Sequence, residues 1–403
     1  MLTKAELLKE YKQNILPGPL NGLVVLGFCY YVAGPIALQS LVSQGALVIK
    51  VEKTPLGDPS RNVFSHSYFN SLTFNQLSVA IDYDDEKDKQ LLASLISIAD
   101  AIVDNRSVRA KKNDKILNNH FFNANKQRPQ IYCSINGYPN EEVNNSPALD
   151  ASIQAATGLA YTNCESIEKP LKIGVPVLDQ VTGLLASNYV ISNLYFLSRF
   201  PTLPESAKKM IYISVSMAGV SMWLQAGQVI RALEKGEEIF RTGNQDQFAV
   251  PFSYYTAKNG LMSVATVNEE QFKRFCLFVL EDCDFHTNYS TVQIRLEKQA
   301  QFEKDLNARL ITRDREYWCG LCKKLDIPAS PVLTVSQAIE QDFFKEIIHS
   351  TVDGKNIVTQ GVSHSFFEKS NPNSAPSLGQ HHNNFIQPQV DNQNEGVFRR
   401  ARL

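Results

Sequence analysis

The 403-residue sequence is poor in the signals that announce the commonest enzyme classes. No G-x-G-x-x-G follows the first apolar run, and there is no Walker A loop, no G-x-S-x-G elbow and no H-E-x-x-H. A lone acid at Glu52 after the second strand does not make a nicotinamide site, because Gly27 and Gly34 do not supply the glycine fingerprint. Lys+Arg number 40 against 41 Asp+Glu, so no charge excess of one sign exists to coat nucleic acid or an acidic membrane. The longest apolar stretch, 210–224, is short and rich in serine, which argues against a bilayer span. The start, Met1-Leu2-Thr3-Lys4-Ala5-Glu6, lacks the apolar core of a signal peptide. Seven scattered cysteines, an odd number, point to reduced thiols and a cytoplasmic location. Cys319-x-x-Cys322 has no second pair, and His381-His382 has no ligand spacing around it, so no metal is expected.

What is present is the alternation of an α/β protein. Leu23–Leu26 reads as a buried strand, and Leu38, Leu41 and Val42 lie at helical spacing between Pro35 and Gly45. Leu47–Val51 reads as a second strand, which makes a βαβ unit with parallel strands. Val79–Ile81, Ala101–Val103 and Ile131–Ile135 are further strands, and Leu91, Leu92, Leu95 and Ile96 mark a helix between the first two. A long helix from about Gln180 to Arg199 ends before Pro201 and Pro204. Near Gly227 the texture changes. Asn259-Gly260 between two strand-like runs is a hairpin signal, and amphipathic helices follow at about 269–281 and 313–325. The expected architecture is α/β: a doubly wound, parallel-sheet (Rossmann-like) large domain plus a smaller α+β domain. The expected boundaries are 1–200 for the first segment of the large domain, 201–225 for a linker, 226–322 for the small domain, and 323–403 for the return segment and tail.

Asp179, in Pro176-Val177-Leu178-Asp179-Gln180-Val181-Thr182-Gly183, stands where a helix cap is the ordinary reading. Its wider context points elsewhere. Asn21–Leu26 with Ala33-Gly34-Pro35, Gly45–Glu52, Gly57-Asp58-Pro59-Ser60-Arg61 and Ser78–Asp82 come in order. Ala99–Asn105, Ser134–Tyr138, Gln154–Gly158, Asp179–Gly183, Ile327–Val332 and Ala375–His381 follow. Together they resemble family III coenzyme A-transferases over about residues 20 to 386.

The resemblance implies a CoA-transferase that moves coenzyme A between an acyl-CoA thioester and a free carboxylic acid. It implies an interlocked homodimer, coenzyme A and acyl-CoA as substrates, and no permanently bound cofactor. The family's catalytic aspartate falls on Asp179, which would carry a covalent acyl intermediate. Tyr30, Tyr31, Ala33, Lys53, Ile81, Asn105 and Arg106 fall on coenzyme A-binding positions, and Val32, Tyr68 and Asp150 on the substrate pocket. Arg109, Lys111 and Lys112 stand near Arg106 as phosphate contacts or as a solvated basic loop. A carboxylate of ordinary pKa, about 4, is ionised at neutral pH and needs no base. The N–H groups opening the helix after Asp179 are candidate oxyanion donors.

The sequence departs from the pattern at Gln76-Leu77, where a basic residue is usual, and at Arg106-Ser107-Val108-Arg109, where the family has an R-P-G turn. Val32 replaces the glutamine of formyl-CoA transferase, which sets aside the formyl/oxalyl pair. Two other readings stay open: an α-methylacyl-CoA racemase, whose histidine would fall on Leu149, and an inactive homologue that binds acyl-CoA. Leucine transfers no proton.

Overall fold

The computed structural model describes residues 3–119, 129–139, 146–164, 166, 168–200, 210–236, 243–246, 248–344, 347–362 and 370–386. Among these, residues of 1–159, 173–230 and 345–403 form one unit, and residues of 160–172 and 231–344 form a second.

The larger unit is built on β1 (Val24–Phe28), β2 (Leu47–Lys53), β3 (Leu77–Ile81), β4 (Ala101–Asp104), β5 (Gln130–Asn136) and β6 (Met210–Ser216). They form a six-stranded sheet in the order β3-β2-β1-β4-β5-β6, with every neighbouring pair parallel. The apolar runs of β1 and β4 are buried on both faces, as a sheet covered twice requires. Val25, Val48, Val103 and Cys133 belong to a core closed by Leu38 and Leu41 of the helix Ala33–Ser43 and by Ala186 and Val190 of the helix Val177–Arg199. On the opposite face Val24, Leu26, Ile49 and Ile102 meet Leu92, Leu95 and Ile96 of the helix Glu86–Ile98. The strand order reverses between β1 and β4, so the loops leaving the carboxyl ends of those strands border the crevice where this fold places ligands.

Two glycines set this geometry. Gly45 ends the 33–43 helix at φ +94°, and a Cβ there would stand 2.2 Å from Asn21 Oδ1. Gly183 lets the 177–199 helix approach the first helix, since a Cβ would lie 2.4 Å from the Ala33 carbonyl oxygen. The return segment docks on the open edge of β3. His381 N–H donates to the Ser78 carbonyl (3.1 Å), and Ser78 N–H donates to His381 Nδ1 (3.1 Å).

Two segments differ from their sequence reading. Residues 210–224, expected as the second part of a linker, form β6 and the helix Met217–Leu224. The alternation Met210-Ile211-Tyr212-Ile213-Ser214 fits a strand, and all of β6 pairs with β5. Residues 201–209 lie outside the described residues. Ile327–Val332, expected as the entry to the return segment, supplies β9 (Ala329–Pro331). This strand pairs antiparallel with β8 (Gly260–Ala265), which in turn pairs with β7 (Phe252–Ala257). The smaller unit packs this three-stranded sheet against helices around Phe272, Phe285, Phe302 and Trp318. Among the described residues, no helix is long and apolar enough to cross a membrane.

Candidate active site

Asp179 occupies the first turn of the 177–199 helix. The N–H groups that open this helix are already engaged. Val177 N–H donates to the Val175 carbonyl (2.8 Å) and Gln180 N–H to the Pro176 carbonyl (3.0 Å). Leu178 and Asp179 N–H both donate to Asp150 Oδ2, at 2.7 and 3.2 Å. The helix start is therefore capped by the carboxylate of Asp150, and its N–H groups are not the open oxyanion donors expected from the sequence.

Asp150 is held in turn. It begins the helix Asp150–Ala156, is buried, and accepts a hydrogen bond at Oδ1 from Gln154 Nε2 one turn on. Gln154 Oε1 accepts from Ile173 N–H (2.8 Å). The i, i+4 spacing of Asp150 and Gln154 was the available sequence signal for this clamp.

The consequence falls on Asp179. Burial first, and the negative charge of Asp150 second, raise its carboxyl from 3.8 to about 7. The ordinary value assumed from sequence is thus corrected: at neutral pH Asp179 is divided between its acid and its carboxylate. Asp179 also acts outward. Tyr68, in the helix His66–Thr73, has its hydroxyl pKa raised by burial and by the Asp179 charge. Tyr68 packs with Val32, Ile36, Leu72 and Phe64 in one apolar cluster. Asp150, Asp179, Tyr68 and Val32 are therefore gathered at one place.

The β1 loop is pinned by side chains. Tyr30 N–H donates to Asn105 Oδ1, and Asn105 Nδ2 donates back to the Tyr30 carbonyl, both at 2.8 Å. Tyr31 N–H donates to Asp58 Oδ1 (3.2 Å), and Tyr31 sits at φ +61° and is 42% exposed. Asp58 is itself fixed by the fully buried Lys50 (2.8 Å). Ala33 is buried against the 177–199 helix at Gly183. Lys53 is exposed at the end of β2 and pairs in register with buried Ile81 of β3.

Arg106 departs from its expected place. Its guanidinium is bound by Asp104 (2.7 Å) and Asp114 (3.0 Å) and lies 4.3 Å from the Phe28 ring centroid, almost wholly buried. Two carboxylates hold it inside the fold, which takes it away from a phosphate. Lys111 Nζ donates to Ser134 Oγ and Asn136 Oδ1, each at 2.7 Å, whereas Arg109 and Lys112 remain exposed. Leu149 is 65% exposed and carries no titratable group. Among the described residues no cluster of His, Cys, Asp or Glu is arranged to hold a metal ion, and Cys322 of the C-x-x-C is buried in the core of the smaller unit.

The larger unit thus carries a parallel sheet and, at the head of a helix packed on it, a carboxylate whose ionised form is destabilised. The chain belongs to CoA-transferase family III, whose family model matches residues 20–382. Coenzyme A thioesters are accordingly the substrates its class implies. It is 28% identical over 382 residues to succinyl-CoA:glutarate CoA-transferase of Mus musculus, covering 90% of this chain and 84% of that protein. It is 23% identical over 340 residues to succinate–glutarate CoA-transferase of Agrobacterium fabrum, covering 79% and 81%. Among solved structures, a CaiB/BaiF family protein from Brucella suis superimposes with a TM-score of 0.77 at 23% identity, over 91% of this chain and 98% of that one. This last likeness speaks for the fold.

Proposed function

We propose that the protein transfers coenzyme A between a small dicarboxylic acyl-CoA and a free dicarboxylic acid, with Asp179 as the covalent nucleophile. The observation that carries the mechanism is the state of Asp179: a partly buried carboxylate whose nearest charged neighbour, Asp150, is of the same sign. Poor solvation and like charge make the ionised form energetic and hence more nucleophilic than a salt-bridged carboxylate.

An Asp179 oxygen attacks the thioester carbonyl, the C–S bond breaks, and coenzyme A leaves as thiolate while a mixed anhydride forms. The thiolate then attacks the aspartyl carbonyl and the donor acid departs, leaving an aspartyl-CoA thioester. The acceptor carboxylate attacks that thioester to form a second anhydride and releases the thiolate again. Attack of the thiolate on the acceptor's acyl carbon yields the new acyl-CoA and frees Asp179. No water or external oxidant enters, so the activation of the first thioester is kept.

Tyr30, Tyr31, Ala33, Lys53, Ile81 and Asn105 are the proposed coenzyme A contacts, with Lys53, Arg109 and Lys112 as the exposed cations for its phosphates. Val32, Tyr68 and Asp150 shape the acyl side. The dicarboxylate preference is carried over from the two relatives named above. An obligate homodimer is proposed on the apolar side chains exposed along 177–224: Tyr195 (63%) and Trp223 (62%) are costly to leave in water. The cytoplasm is proposed from seven free thiols. The racemase reading has no support at Leu149.

Asp179→Asn tests the proposal. With succinyl-CoA and glutarate, exchange should fall by at least about 10³-fold while folding and dimer mass in light scattering stay unchanged. Exchange at near wild-type rate in that variant would remove Asp179 from the chemistry.

A further inference from the structure

A cavity of ≈600 Å³ opens in the larger unit between Gln13-Asn14, the 66–73 helix and the return segment, and neither Asp179, Tyr68 nor the 30–33 loop lines it. Its volume lies in the range of small-molecule sites. Its wall holds hydrogen-bond donors in surplus. Arg61 uses Nε and Nη2 on Glu52 and Nη1 on the Pro376 carbonyl, which leaves two of the five guanidinium N–H groups for the cavity. Lys355 uses one ammonium N–H on Asp353 (3.0 Å) and retains two. His381 accepts at Nδ1 from Ser78 N–H, which places its ring proton on Nε2 as a further donor.

The acids nearby have no comparable surplus. Asp353 is occupied by the hydroxyls of Thr351 and Ser374 and by Lys355, and both oxygens of Glu52 are taken by Arg61, Asp58 N–H and Ser78 Oγ. A site with spare cationic donors, acids largely engaged by their own neighbours and an apolar floor at Phe69 selects an oxyanion.

We propose that this cavity is a second binding site, for a small organic anion recognised through its carboxylate or phosphate oxygens. The inference is independent of the role of Asp179. It is tested by isothermal titration of the full chain with succinate and, separately, with inorganic phosphate, on wild type, Lys355→Glu and the milder Lys355→Gln. Lys355 lies on a partly exposed turn, and melting curves report whether each variant is folded. At least one anion should bind wild type at millimolar concentration or below, and its affinity should fall about tenfold in K355Q and further in K355E. Whichever anion binds wild type with the lower Kd, and loses that affinity in the variants, identifies carboxylate or phosphate as the preferred group. Absence of binding by both anions, or an affinity unchanged in both folded variants, overturns the proposal; the second result is what an acid seated only at Asp179 would give.

Discussion

Replacing Asp150 by Asn removes the charge and keeps an acceptor for the helix N–H groups, at the cost of the hydrogen bond from Gln154 Nε2, which then faces an amide N–H; the pH profile reads the charge separately from that loss. The amide oxygen can still accept from Leu178 and Asp179 N–H, which Asp150 Oδ2 now does at 2.7 and 3.2 Å. The Asp179 carboxyl stands at about 7 instead of 3.8, a rise of roughly three units in which burial is the larger cause and Asp150 the smaller. Asp150 therefore accounts for less than half, and about one unit is the expected drop in D150N. If, as proposed, the Asp179 carboxylate is the attacking species, kcat/KM at limiting acyl-CoA should rise with pH through the Asp179 pKa in the free enzyme. The acid limb should lie near pH 7 in wild type and near pH 6 in the variant. At pH 6 the ionised fraction would go from about one tenth to about one half, so the variant's rate relative to its own plateau is about fivefold higher there. The plateau itself should fall, because a less destabilised carboxylate is a weaker nucleophile. An acid limb that stays in place, or moves to higher pH, would refute the assignment of Asp150 as the charge that tunes Asp179.

The remaining expectations concern stability and binding. A carboxyl whose folded pKa is raised stabilises the fold most when neutral, below about pH 4, and that contribution is lost as pH climbs through about 7. Asp179→Asn should therefore melt higher than wild type at pH 8, by an amount equivalent to about 1–2 kcal/mol after relaxation, with the gap closing toward pH 5 in calorimetry. Arg106→Ala leaves Asp104 and Asp114 buried without their cation and should cost about 3–5 kcal/mol, seen as a much lower urea midpoint. Loss of coenzyme A affinity at unchanged stability would instead return Arg106 to the ligand. Lys53→Ala, at an exposed strand end, should raise KM for acyl-CoA about tenfold and leave kcat and melting nearly unchanged.

The parts of the fold legible in the sequence were the fully buried strands and the 252–265 hairpin, which Asn259-Gly260 marks although its strands are partly exposed. Val24–Phe28 and Leu47–Val51 are continuous apolar runs because both sheet faces are covered, and Gly45 marks the intervening stop through a φ that other residues avoid. Residues 210–224 misled because β6, an edge strand, and the helix after it follow without a turn residue and read as one apolar stretch. Ile327–Val332 misled because its proline-rich composition looks like a connector, although Met262, Ser263 and Val264 give it a strand partner. At the site, the place of Asp179 at the head of a long helix was legible from Pro176 before it and the helical run after it. Its altered acidity was not, because the capping carboxylate is 29 residues away in the chain. Arg106 read as a phosphate contact because Asp114, eight residues on, reveals itself as a partner only once the segment is folded.

In the proposed mechanism the acyl group and then coenzyme A reside on Asp179. Incubating wild type with labelled succinyl-CoA, without acceptor acid, should leave a hydroxylamine-sensitive adduct that mass spectrometry places on the peptide bearing Asp179. Steady exchange with no adduct, or an adduct on any other residue, would contradict the account.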